Sequence, residues 1–170
     1  LRRFATSYLQ ELCNRYRENV NLSILDNNEV VYLDIFESPQ RVKLAASLGQ
    51  RLPAFCTASG KAILAFLPEE KVQLVVEQGM PNFTKNTITS LENFYADLSR
   101  TLERGFAISE QEFEEGINAV AVPICDPPIG SVSIAGPAYR LTKDRMLEIG
   151  ADLIKTAQQI EKEIQRTTQP

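Results

Sequence analysis

The sequence contains no histidine, and this absence excludes several kinds of chemistry. Histidine is the usual general base of enzymes, the usual partner of serine and cysteine nucleophiles, and the commonest metal ligand. Catalytic Ser–His and Cys–His pairs are therefore excluded. We predict that the chain is not an enzyme and holds no metal ion or cofactor.

Cysteine is scarce as well. The three cysteines, Cys13, Cys56 and Cys125, lie far apart in the sequence and form no C-x-x-C motif. This spacing indicates neither a disulfide framework nor a zinc site. We expect three buried thiols.

The chain also lacks an excess of basic residues and long apolar runs. Its 18 Lys and Arg residues against 22 Asp and Glu give a net charge of −4 and a pI near 5.0. A domain that neutralises nucleic-acid phosphates carries a basic surface, so these residues are not expected to bind DNA themselves. No apolar run is long enough to span a membrane or to act as a signal peptide, which predicts a soluble cytoplasmic protein without a membrane partner.

The most informative stretch that is present runs from Leu52 to Phe66. Thr57 is a plausible N-cap for a helix of small residues that ends before Pro68. Ala58, Ser59 and Gly60 would begin that helix without side-chain bulk, and its free amides and dipole suit a small anion or carboxylate. The stretch alone leaves open a second interpretation, in which a buried helix simply packs closely on a sheet.

Periodic patterns predict the remaining elements of a single domain of 170 residues, 44% of them hydrophobic. Apolar residues at helical spacing predict helices over 3–18, 58–66, 69–78, 91–105 and 142–164. Alternation predicts strands over 20–24, 31–35, 52–55, 106–109, 117–125 and 130–136, whereas 41–48 is ambiguous. Neighbouring strands joined by short connections predict an α+β fold, an antiparallel sheet with helices on its faces.

Two predicted strands carry mostly small residues on one face. These residues are Ile117, Ala119 and Ala121 on one strand, and Ser131, Ser133 and Ala135 on the next. If both faces look toward the helix at Thr57, a small molecule fits between them, with Ser59 and Ser133 as polar anchors. Close packing of that helix would instead fill the space.

Charged and nucleophilic residues nearby have simpler interpretations. Gly60-Lys61 resembles the end of a phosphate loop, but Ala62 replaces the Mg²⁺-binding hydroxyl, so a nucleotide loop is rejected. Lys61 is interpreted as a solvated lysine, with an ion pair as the alternative. The acidic run 110–115 is interpreted as a solvated loop, except that Glu112 is a candidate for holding the loop or lining the pocket. Cys56 lacks a base and is interpreted as a structural thiol.

Three motifs resemble, in order and spacing, the effector-binding domain of IclR-type bacterial transcriptional regulators. They are LPAFCTASGKAILAFLPEE, RGFAISEQEFEEGINAVAVPI and SIAGPAYRLT, and the likeness extends over nearly all 170 residues. The resemblance implies a GAF-like curved antiparallel sheet with helices on both faces. It also implies a linker tail and first helix over residues 1–19, an effector-binding domain over 20–170, and an amino-terminal winged helix-turn-helix that is not among these residues.

The resemblance further implies a small-molecule effector, commonly a carboxylate or aromatic catabolite, and assembly as a dimer or tetramer. DNA would be bound only through the winged helix-turn-helix. The matching pocket positions are Ala58, Ser59, Gly60, Ser109, Ile117, Ala119, Ser133 and Ala135, to which Glu112 is added as the residue that holds or lines the pocket. Ser109 and Ala135 depart from residues found in some members. Some members bind zinc through His and Cys, which is not carried over to a chain without histidine.

Two other functions remain open at this point. One is an oligomerisation domain with a vestigial pocket. The other is a small hydrolase that uses Cys56 or Ser59, against which the missing base argues.

Overall fold

A computed structural model describes residues 1–168. The helices are α1 (Arg2–Tyr16), α2 (Ala58–Leu64), α3 (Glu69–Val76), α4 (Leu91–Arg104) and α5 (Lys143–Thr168). The strands are β1 (Asn19–Asp26), β2 (Glu29–Phe36), β3 (Arg51–Pro53), β4 (Ala107–Glu110), β5 (Ile117–Ile124) and β6 (Gly130–Pro137). Residues 169 and 170, which the predicted domain range 20–170 includes, lie outside the described residues. No helix in residues 1–168 is long and apolar enough to cross a membrane.

The six strands form one antiparallel sheet in the order β3-β2-β1-β6-β5-β4. The predicted hairpins are present, since β1 pairs with β2 across a turn at Asn27-Asn28 and β5 pairs with β6. The predicted α+β fold, with a curved sheet and helices on both faces, is confirmed. The ambiguous stretch 41–48 is irregular.

The outer face of the sheet carries the main apolar core. Alternate residues of the central strands, among them Leu22, Val120 and Ile134, are fully buried there against α1 and α5. The long helix α5 contributes Met146, Ile149, Leu153 and Ile160 along one stripe, at the 3-to-4 residue spacing of a helix face. Each such buried side chain contributes roughly 1.5–3 kcal/mol, so this face provides most of the hydrophobic stabilisation.

The inner face of the sheet carries small and polar residues, and α2 lies against it. Ala58 and Ala62 of α2 pack on Ala107 and Ala121 of the sheet. The predicted N-cap is present, because the Thr57 hydroxyl accepts a hydrogen bond from the Gly60 amide at 3.3 Å. The inner layer is therefore built from side chains that keep the helix close to the strands.

Gly60 allows the closest approach in this layer. A Cβ atom added at Gly60 would overlap the backbone O, Cα and C atoms of Ala54. Backbone atoms cannot move away as a flexible side chain can. Position 60 therefore requires glycine for α2 to keep its place beside the segment that follows β3.

We expect Gly60→Ala to lower the free energy of unfolding by about 3 kcal/mol or more, because the added methyl group overlaps backbone. Gly150→Ala in α5 is the matched control, since its methyl group would meet the Phe106 side chain and the helix gains about 1 kcal/mol of propensity. Urea denaturation of both variants measures the difference. Equal losses in the two variants would contradict the close-approach argument.

Candidate functional site

A cavity of about 80 Å³ lies between α2 and the inner face of the sheet. It brings together seven of the nine residues predicted to bind a ligand: Ala58, Ser59, Ser109, Ile117, Ala119, Ser133 and Ala135. The small residues of β5 and β6 leave the space, and α2 covers it. The small-residue faces of β5 and β6 therefore both lie toward α2, with the cavity between them.

The other two predicted residues lie elsewhere. Gly60 faces the Ala54 backbone, as described above, and does not line the cavity. Glu112 is buried and accepts hydrogen bonds from Lys61 at 3.0 and 2.7 Å. Of the two roles considered for Glu112, holding the loop fits its position and lining the pocket does not.

Several lining residues were not predicted. Val30 and Tyr32 come from β2, Phe113 and Glu114 from the β4–β5 connection, and Leu44, Ala45 and Gln50 from the irregular stretch before β3. The alternation in β2 carries a signal for the first two. Side chains alternate along a strand, so within the predicted strand 31–35 Tyr32 lies on the face opposite Val31 and Leu33, and Val30, just before that range, shares the face of Tyr32. The irregular stretch carries no such periodicity.

The polar groups of the cavity are mostly hydroxyls. Tyr32, Ser59 and Ser133 line it, and burial raises the pKa of Tyr32 to about 12. This phenol is therefore a neutral hydrogen-bond donor at physiological pH. The Ser109 hydroxyl lies 3.3 Å from the Cys56 carbonyl oxygen and donates to it. The lining includes Glu114 but no Lys or Arg.

Lys61 is not solvated, contrary to its sequence interpretation. Its side chain is 1% exposed, and its Nζ donates to Asp97 Oδ2 at 2.7 Å, to Ile108 O at 2.6 Å and to both Glu112 carboxylate oxygens. A buried ammonium without such partners would carry a large desolvation cost. The acidic connection after β4 thus supplies the partner that keeps this lysine inside.

The pKa values of the two carboxyl groups in this cluster shift in opposite directions. Burial acts to raise the pKa of Asp97, but the Lys61 ammonium and the Arg100 guanidinium outweigh it and lower that pKa. Burial raises the pKa of Glu112 despite its contact with Lys61. One ammonium faces two carboxylates here, so the second carboxylate is the harder one to ionise.

A polar patch adjoins the cavity on the inner face. Asn21 pairs with Ser133 across β1 and β6, and Ser23 pairs with Ser131. Both amide atoms of Asn21 and the hydroxyls of Ser23 and Ser131 are buried without a hydrogen-bond partner in residues 1–168. Such groups usually carry a cost of roughly 1–3 kcal/mol each.

The cysteines differ in burial. Cys13 and Cys56 are buried as expected, but Cys125 is only half-buried, which corrects the expectation of three buried thiols. Burial, aided by the nearby Glu112 carboxylate, raises the pKa of Cys56 to about 12. A thiol with this pKa is protonated at neutral pH and is a poor nucleophile.

A larger surface groove of about 660 Å³ lies away from this site. Leu25, Leu67, Leu74 and Ile129 are among its lining residues, and it includes none of the nine predicted ligand residues. Its walls do not combine small side chains with inward hydroxyls. The smaller cavity under α2 is therefore the better candidate for a ligand site.

Replacing Asn21 should show whether its amide is a stability cost. We expect Asn21→Leu to raise the free energy of unfolding by about 1 kcal/mol, because an unpartnered polar group is exchanged for an apolar one of similar size. Asn19→Leu is the control, since Asn19 donates to Leu44 O at 3.0 Å and accepts from Ser38 N at 2.9 Å. The Asn19→Leu variant should lose about 2–3 kcal/mol of its free energy of unfolding. If denaturation shows that Asn21→Leu also lowers the free energy of unfolding, the Asn21 amide is not a stability cost.

Thiol labelling should separate the cysteines. With iodoacetamide at pH 7.5, we expect Cys125 to react at least tenfold faster than Cys56, because Cys56 is fully buried with a pKa raised to about 12. Peptide mass spectrometry after timed quenching measures both rates. Faster labelling of Cys56 would revive a nucleophilic role for that residue.

Comparison with known proteins identifies the family of this chain. The family model for the C-terminal domain of the bacterial transcriptional regulator IclR matches residues 1–162. The transcriptional repressor IclR of Escherichia coli K12 is 33% identical over 158 residues, which cover 89% of this chain and 58% of that protein. The HTH-type transcriptional repressor AllR of Salmonella typhi is 37% identical over 147 residues, covering 84% and 54%. The chain thus spans a little over half the length of these curated relatives.

Solved structures agree with this match. The crystal structure of the Thermotoga maritima IclR superposes with a TM-score of 0.90 at 33% identity, covering 95% of this chain and 67% of that one. The inducer-binding domain of PobR from Acinetobacter, a double mutant in complex with 3-hydroxybenzoic acid, gives 0.85 at 26% identity, covering 95% and 97%. The chain belongs to the IclR family of bacterial transcriptional regulators and corresponds to their C-terminal, effector-binding domain.

Proposed function

We propose that the cavity under α2 binds a small carboxylate and that its occupancy alters DNA binding by an amino-terminal domain of the longer regulator. The observation that carries this proposal is a cavity whose lining combines small residues of α2, β5 and β6 with the hydroxyl-bearing residues Tyr32, Ser59 and Ser133. Sites for small ligands typically combine an apolar lining with a few convergent polar groups.

The cavity volume narrows the ligand class. On this measure one water molecule needs about 10–15 Å³, so a space of about 80 Å³ has room for roughly five to eight atoms of that size. It suits an acid of a few heavy atoms better than an aromatic acid. Because no lining residue is cationic, neutral hydroxyl donors would hold the carboxylate, and a hydroxyl group on the ligand would find acceptors at Glu114 and Gln50.

Signalling requires a difference in affinity between two arrangements of the regulator. We infer self-association as a dimer or tetramer, in which ligand binding at α2 favours one arrangement by a coupling of roughly 1–3 kcal/mol. PobR, whose inducer-binding domain was solved with 3-hydroxybenzoic acid, is a relative with a larger ligand. The cavity volume of about 80 Å³ in this chain supports an effector with fewer heavy atoms than 3-hydroxybenzoic acid.

The small cavity volume also favours a second candidate, an oligomerisation domain whose pocket no longer binds a ligand. A hydrolase has less support. Cys56 is buried with a pKa raised to about 12, and the sequence contains no histidine to act as its base.

Thermal-shift titration with lactate, propionate and 3-hydroxybenzoate tests the proposal. We expect lactate and propionate to stabilise the domain, by up to about 2.7 kcal/mol at 100 times Kd, and 3-hydroxybenzoate to do so less. Ser133→Ala should weaken the lactate effect at least tenfold, because it removes a hydroxyl that faces the cavity. Ser99→Ala, on the exposed side of α4, is the control and should respond like the wild type.

Stabilisation by none of these acids would count against the carboxylate assignment. A lactate response that Ser133→Ala leaves unchanged would place the binding site elsewhere in the chain. Sedimentation equilibrium of the same samples measures self-association. A domain that assembles stably yet responds to no acid would favour the second candidate.

A further inference from the structure

One buried ammonium joins three elements, two of which, α2 and the β4–β5 connection, line the cavity. Lys61 lies on α2, Asp97 on α4, and Glu112 on the connection between β4 and β5, and both carboxylates accept from Lys61 Nζ at 2.7 Å. The Lys61 and Glu112 side chains are 1% and 8% exposed. Their contact is therefore little screened by water, unlike an ion pair on the surface.

Glu112 sits in the middle of a short segment, residues 111–116, that forms part of the cavity wall. Its neighbours Phe113 and Glu114 line the cavity, while Glu112 points to the other side and meets Lys61. The segment is also held from outside. Thr84 donates to the Gln111 carbonyl at 2.6 Å, and Thr87 donates to the Glu112 carbonyl at 2.7 Å.

These outer hydrogen bonds hold the backbone. On the side of α2, Lys61 makes the polar contact with the segment through Glu112, and Phe113 packs in an apolar cluster that includes Leu64. Lys61 is one turn beyond Ala58 and Ser59, which line the cavity from the opposite side. The Lys61–Glu112 contact is therefore a buried polar link between the α2 wall and the Phe113 wall, beside the edge-on packing of Phe113 on Phe83 at 5.0 Å between ring centroids.

We propose that the hydrogen-bonded contact between Lys61 and Glu112 is a specificity-determining contact, which sets the size of acid the cavity accepts by helping to hold Phe113 and Glu114 in the wall. Neither residue touches the ligand, so both are positioning residues. This inference rests on the proposed function of the cavity. It extends that function by assigning ligand size to a contact outside the cavity.

We expect the cluster to tolerate replacement of Glu112, because Lys61 keeps two other partners. In Glu112→Leu the segment loses its acceptor, yet Lys61 keeps Asp97 and the Ile108 carbonyl as partners. Glu112→Gln is the conservative variant, because its amide oxygen still accepts from Lys61. Lys143→Met is the matched control, since it removes an exposed ion pair from Glu110 at the start of the same connection, at 3.2 Å.

Hydrogen–deuterium exchange of the four proteins tests the contact without any ligand. We expect the amides of residues 111–116 to exchange at least tenfold faster in Glu112→Leu than in the wild type. Glu112→Gln and Lys143→Met should remain within about twofold of the wild type. Unchanged exchange in Glu112→Leu would overturn the proposal, because the segment would then be held by other contacts.

Titration of the same proteins with lactate and 3-hydroxybenzoate tests the consequence for specificity. In Glu112→Leu, the ratio of the lactate affinity to the 3-hydroxybenzoate affinity should fall at least tenfold, and Glu112→Gln should restore it. A general loss of stability would weaken both acids alike and leave this ratio unchanged. An unchanged ratio in Glu112→Leu would therefore refute the specificity role even if exchange is faster.

The two proposals fail in different ways. If the wild-type domain binds neither acid, the proposed function fails and the specificity role fails with it. If the wild type binds lactate but its preference is the same in all variants, only the present inference fails. Faster exchange together with an altered and Gln-restored preference supports both.

Discussion

The close contact between α2 and the backbone that precedes it is the constraint on which the inner half of the molecule depends. Gly60 lets the helix approach Ala54 without a side chain between them, and alanines continue the same contact toward β4 and β5. This approach fixes where the cavity lies. It also carries Lys61 into the interior, where the lysine needs acidic partners.

The acidic connection after β4 follows from that placement. A buried lysine is stable only with hydrogen-bonded counter-charges, and the connection provides Glu112 while α4 provides Asp97. The same connection turns Phe113 and Glu114 toward the cavity. Neighbouring residues of one connection thus line the cavity and neutralise the buried lysine. A change in the charge of this connection would therefore also affect the shape of the cavity.

Sequence periodicity was sufficient for most of the fold and for part of the site. Alternation located β5 and β6, and the small residues on one face of each strand line the cavity. Periodicity was not informative where the determining contact joins residues that are far apart in the sequence. Lys61 and Glu112 are 51 residues apart, so the sequence analysis singled out Glu112 and left an ion pair open for Lys61 but did not identify the two as partners. The irregular stretch that contributes Leu44, Ala45 and Gln50 has no period to interpret, because its place depends on the strands beside it.

The two faces of the sheet have separate roles. The outer face holds a dense apolar core with α1 and α5, while the inner face carries small and polar side chains around a cavity. Exchanges among the small cavity-lining residues of β5 and β6 therefore leave the outer core intact. In a domain built in this way, the shape of the inner cavity can change through a handful of substitutions while the layer behind the sheet continues to support the fold.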